Sequence, residues 1–119
     1  MDKLKYMLEK QRELQNKLGI YEKIENEGDK QQYINQMILA IQEEAIEIMR
    51  ETAYKNPEYV KFGWKKGQKS NPELFKEEIV DLWHFLMNLI IISGMDTDEF
   101  FQRYLNKNDL NHKRKEERY

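Results

Sequence analysis

Residues 70–94, SNPELFKEEIVDLWHFLMNLIIISG, decide how the chain is built. Ser70-Asn71-Pro72-Glu73 is a helix start: an amide or hydroxyl able to cap free N–H groups, a proline suited to the first turn, then an acid. A continuous helical composition follows until Gly94. The same grammar recurs on both sides. A first helix runs from about Lys3 to Leu18, with Leu4, Met7, Leu8, Leu14 and Leu18 on one side and Gly19 near its end. A polar connection follows, Tyr21 to Lys30. A second helix runs from about Gln32 to Tyr54, carrying Ile34, Met37, Ile38, Ile41, Ala45, Ile48 and Met49. A fourth begins at Asp96-Thr97-Asp98-Glu99, bears Phe100, Phe101, Tyr104 and Leu105, and ends in a charged tail. No alternating strand pattern competes, so the expected fold is all-α, four to five helices in one domain over residues 1–119.

Bulk properties narrow the function. The 119 residues hold 20 basic and 22 acidic side chains, a balance that argues against a nucleic-acid-binding role. With no cysteine, disulfides, thiolate nucleophiles and cysteine-ligated metals are excluded. The longest apolar run, Leu82 to Ile92, is interrupted by His84 and Asn88 and is too short to span a bilayer. No signal peptide opens the chain, and a cytoplasmic protein is expected.

The telling feature is acid where apolar residues belong. Each helical residue turns about 100°, so positions three, four and seven apart share a face. Glu44 therefore lies in the stripe of Met37, Ala40, Ile41 and Ile48, with Glu47 at its edge. Asp81 lies with Leu74, Phe85, Asn88 and Ile92, with Glu78 three residues before it. Carboxylates on core-facing stripes are costly, and several converging on one point repel one another. A divalent cation relieves both penalties. Magnesium, which takes hard oxygen ligands together with waters and phosphates, suits two acid pairs on facing helices. Any one of these glutamates alone is more often a solvated surface acid; the joint pattern leaves metal binding and surface acids about equally open.

Glu43-Glu44-Ala45-Ile46-Glu47 followed by Glu78-Ile79-Val80-Asp81 resembles the EExxE…ExxD signature of the all-α NTP pyrophosphohydrolases, which include MazG and the dimeric dUTPases. The gap between the halves is long for a MazG-type protein and in keeping with a dUTPase. Other stretches point to the dimeric dUTPases. Met7-Leu8-Glu9-Lys10-Gln11-Arg12-Glu13-Leu14 is similar to a first helix whose glutamine helps recognise uracil. Asp81-Leu82-Trp83-His84-Phe85 looks like the metal helix with its WHF-type run. Lys107-Asn108-Asp109-Leu110-Asn111-His112-Lys113-Arg114 resembles a K-N-x-x-N-x-x-R element that contacts the nucleotide and its phosphates. Trp64 resembles a tryptophan of the loop between the metal helices. Arg118 stands where a glycine commonly precedes the tyrosine, and the chain is shorter than typical members.

The resemblance implies a magnesium site between the second and third helices, made by Glu44, Glu47, Glu78 and Asp81, and hydrolysis of dUTP to dUMP and pyrophosphate. Glu47 would orient or deprotonate the water, supported by Glu44; Glu43 and Glu77 would be supporting or surface residues. Substrate contacts would come from Gln11, Trp64, His84, Phe85, Lys107, Asn111 and Arg114. Taken alone, these polar and aromatic residues are ordinary exposed or core side chains. The third helix is apolar around most of its circumference, which implies a subunit interface: a homodimer, or a tetramer of the MazG kind. A MazG-like enzyme of other or broader nucleotide preference is the alternative within the superfamily. A helical interaction module whose acids bind no metal is the alternative outside it.

Overall fold

The computed structural model describes residues 1–52 and 70–116. The described residues form four helices and no strand: α1 (Lys3–Lys17), α2 (Glu27–Arg50), α3 (Pro72–Ile92) and α4 (Thr97–Glu116), with a 3₁₀ turn at Tyr21–Lys23. Each α-helix opens on a capped N–H, as short polar side chains at such positions dictate. Asp2 accepts from the Lys5 N–H at 3.0 Å, Asn26 from Asp29 at 2.9 Å, Asn71 from Leu74 at 3.2 Å and Asp96 from Glu99 at 2.8 Å. Gly19 and Gly94, at φ 70° and 83°, follow α1 and α3. That left-handed conformation strains any residue with a Cβ.

Several expected boundaries shift, and α2 ends at Arg50 rather than near Tyr54. The polar connection is shorter than its composition suggests, because Asn26 caps a helix that starts at Glu27 and absorbs Gly28. The charged C-terminal segment is helical to Glu116, an extension of α4 rather than a separate tail. The long aromatic segment between the second and third helices, Trp64 included, lies outside the described residues.

α3 is the central element: it packs along α2 and, less extensively, against α1. The Asn71 N–H donates to the Glu51 carbonyl at 2.9 Å, tying the end of α2 to the start of α3 and making the pair antiparallel. The core gathers on the C-terminal half of α3, where Met87, Ile90 and Ile91 meet Leu8 of α1, flanked by Tyr21, Trp83, Met95 and Phe100. Of the apolar residues on one side of α1, Leu8 is buried, whereas Met7, Leu14 and Leu18 remain 39%, 43% and 57% exposed. The positions that α1 buries beside Leu8 are instead Gln11 and Gln15, three and seven residues on. No single described helix is long and apolar enough to cross a membrane.

A core this small makes each member matter. Met87→Ala is expected to cost about 2–5 kcal/mol in denaturant unfolding. Gly94→Ala meets open space but keeps an unfavourable φ, and is expected to cost about 1–2 kcal/mol. Equal, negligible effects would contradict this assignment of core and turn.

Candidate active site

The antiparallel register that sets Met37 beside Asn88 also sets the acidic pairs of α2 and α3 against each other. Glu44, Glu47 and Glu78, each half-buried, bring one carboxylate oxygen apiece within 4.8 Å of one another. Asp81 is exposed and stands outside that trio, but its charge acts on both Glu44 and Glu78. Glu43 and Glu77 face solvent.

The cluster is electrostatically costly as it stands. Burial first, then the charges of Glu47 and Asp81, then a hydrogen bond donated to Glu44 and the charge of Glu44 push the Glu78 carboxyl up to about 7. Burial and the same two neighbours also raise Glu44, partly offset by its bond to Glu78. Glu44 Oε2 and Glu78 Oε2 are nonetheless buried without a hydrogen-bond partner. Native structures seldom leave such atoms unpaired. Hard anionic oxygens, converging and unsatisfied, have the donor chemistry that a divalent cation requires.

A groove opens beside the acids, walled by Gln11, Leu14, Gln15 and Leu18 of α1, Glu44 of α2, and Asp81, His84, Phe85 and Asn88 of α3. Its floor is a set of buried amides. Gln11 Nε2 donates to Asn88 Oδ1 at 2.7 Å, and Asn88 Nδ2 points to Met37 Sδ at 3.4 Å. The Tyr33 hydroxyl donates to Gln15 Oε1 at 3.1 Å. Burial, with a smaller effect of Tyr21, pushes the Tyr33 phenol up to about 12, so it keeps its proton. His84 Nδ1 donates to the Val80 carbonyl at 2.9 Å, the bond to the preceding turn that orients its ring.

Of the residues singled out in the sequence, the structure thus gathers Gln11, Glu44, Asp81, His84 and Phe85 around one groove, with Glu47 and Glu78 adjoining through Glu44. It does not bring Lys107, Asn111 or Arg114 there. They lie exposed on the distal half of α4, which leaves α3 at a 106° bend. Trp64 lies outside the described residues. Gln15, Tyr33, Met37 and Asn88 join the groove's hydrogen bonds without belonging to any of the sequence motifs. Two signals were available: Gln11 and Gln15 are one turn apart on the Leu8 face, and Asn88 sits two turns beyond Asp81 on its stripe.

The dUTPase family model matches residues 3–93, which takes in α1, both acidic helices and the groove. A dCTP pyrophosphatase of Enterobacteria phage T4 is 33% identical over 64 residues, 51% of this chain; the chain spans 37% of that protein's length. No solved structure matches the chain significantly. A family match over three helices, the acid cluster and the amide-floored groove places the chain in the all-α dUTPase family of nucleotide pyrophosphohydrolases.

Proposed function

We propose that the protein hydrolyses dUTP to dUMP and pyrophosphate with magnesium, as a cytoplasmic enzyme of nucleotide-pool sanitation. The observation that carries this reading is the convergence of Glu44, Glu47 and Glu78 within 4.8 Å at the mouth of a groove floored by amides. One end suits a metal-bound triphosphate and the other a base. Glu44, Glu47, Glu78 and Asp81 would hold the ion, which when bound neutralises phosphate charge and acidifies an attacking water. Glu47 would orient or deprotonate the attacking water, with Glu44 beside it. Gln11 meets the base edge, while His84 and Phe85 form the wall against which base or sugar packs.

Lys107 and Arg114 are the phosphate-binding candidates, and Asn111 and Trp64 further base contacts. The α4 residues act in this reading only where the distal half of α4 reaches a groove, its own or that of a second copy. A homodimer is part of the proposal, because Leu39, Ile46, Leu74, Ile79, Val80 and Leu86 of α2 and α3 are all at least 37% exposed. So much large apolar surface on two packed helices supports that reading. The T4 relative's name favours a second reading, in which another pyrimidine triphosphate is the substrate. An interaction module without catalysis would release no pyrophosphate from any nucleotide.

Pyrophosphate release assayed across the dNTPs is expected to be selective for dUTP and to stop when magnesium is chelated. Glu44→Gln and Asp81→Ala should each lower kcat/KM by about 100-fold or more, since even the partners that merely orient metal ligands are worth about 10–100-fold. Equal turnover of every dNTP would shift the protein to a broader specificity. The pH dependence has a definite sign. Glu78 titrates near 4.5 unfolded and about 7 folded, so between those values the folded state holds a proton that the unfolded chain has released. The metal-free protein should therefore lose stability as pH rises from about 4.5 to about 7. Thermal unfolding of wild type and Glu78→Gln across that window checks this; a slope identical in the two would contradict it. Sedimentation velocity should show a species of twice the 14.6 kDa chain.

A further inference from the structure

The hydrogen bonds beneath the groove have a direction. Met37 Sδ carries no hydrogen and can only accept. Asn88 turns its Nδ2 to that sulfur at 3.4 Å, and its Oδ1 consequently faces Gln11. Gln11 answers with Nε2 at 2.7 Å, a bond between two side chains that are 4% and 3% exposed. Turning Gln11 over would set its Oε1 against Asn88 Oδ1. Turning Asn88 over as well would set that oxygen against the thioether. Either puts two acceptors together in a buried place, where an unsatisfied group is most costly. With one Nε2 hydrogen committed to Asn88, Gln11 keeps its second Nε2 hydrogen and its Oε1, and the Oε1 is the end turned away from Asn88 on a residue that lines the groove.

We propose that Asn88, held by Met37, is a positioning residue for specificity: it fixes Gln11 so that the groove offers the base a carbonyl oxygen. This rests on the reading of the groove as the base-binding end of a nucleotide site. The chemistry then follows from the base edge. The N3–H of uracil is a donor and pairs with Gln11 Oε1. The N3 of cytosine is a bare acceptor and, in the same pose, meets that oxygen lone pair to lone pair. Sites built around a buried polar contact discriminate strongly when the contact is left unmade. The selectivity for uracil over cytosine is therefore set one hydrogen bond behind the Gln11 contact, by the asparagine that fixes which end of Gln11 is free.

The test uses the full chain and two readouts. The first is the ratio of kcat/KM for dUTP to that for dCTP, with magnesium. Asn88→Leu frees Gln11 to turn and should lower the ratio at least about tenfold. Asn88→Asp keeps an acceptor facing Gln11 and should preserve it. Met37→Leu, which removes the orienting sulfur but leaves the amides, should lower it less than Asn88→Leu, and serves as the second variant should Asn88→Leu fail to fold. The second readout needs no turnover. One Gln11 Nε2 proton should exchange slowly in the NMR spectrum of the wild type and of Asn88→Asp. It should exchange fast in Asn88→Leu. An unprotected Gln11 amide in the wild type overturns the proposal, as does a ratio that Asn88→Leu and Met37→Leu leave unchanged while hydrolysis persists. A protected amide in a protein that hydrolyses no nucleotide would count against the proposed function alone and leave the positioning role of Asn88 supported.

Discussion

The antiparallel pairing of α2 with α3, closed at one end by the backbone bond from Asn71 to Glu51, is the constraint from which the site follows. Once that end is tied, the register along the pair brings Glu44 and Glu47 against Glu78 and Asp81, and Met37 against Asn88. Two helices packed on apolar stripes would ordinarily exclude charge from such a seam. Here the seam contains three carboxylates within 4.8 Å and two buried oxygens with no partner. The arrangement is self-repelling, and burial with the neighbouring charges raises both the Glu78 and the Glu44 carboxyl above the ordinary range. A cation removes the repulsion and the desolvation cost together. Sites poised for catalysis are commonly ones where a fold tolerates such a local conflict.

The groove beside the seam uses the opposite strategy. Gln11, Gln15 and Asn88 are buried polar groups that are bonded in a fixed sense. Amides held this way present a defined donor or acceptor to whatever enters, with little rearrangement on binding. In the proposed reading the two ends of the site complement different parts of a nucleotide: unsatisfied anionic oxygen for a metal and its phosphates, satisfied neutral amides for a base edge.

Much of this was legible in the sequence, because the features concerned are local. Asn71-Pro72, Gly94 and Asp96 mark helix ends through side chains that act on their own backbone, and the structure follows them. The placement of Glu44 and Asp81 on apolar stripes follows from helical periodicity, and the structure sets both at the α2–α3 seam. What was not legible depends on how helices meet. α1 buries Gln11 and Gln15 while leaving Leu14 and Leu18 partly exposed, against the usual sorting by hydrophobicity, because its contact face is selected by α3 and the groove. Asn88 has no local signature that separates it from an exposed polar residue. The 106° bend between α3 and α4, with Lys107, Asn111 and Arg114 beyond it, falls at the left-handed turn of Gly94, and the motif spacing of α4 does not encode its angle.

The central claim is that the carboxylates at the α2–α3 seam bind a divalent cation, and manganese titration tests it most directly, since bound Mn²⁺ is counted by electron paramagnetic resonance without any turnover. The account predicts saturable binding to the wild type that is lost in Glu44→Gln and in Glu78→Gln while both variants stay folded. Wild-type protein that binds no Mn²⁺ at saturable sites, or variants that bind it as well as the wild type, would contradict it.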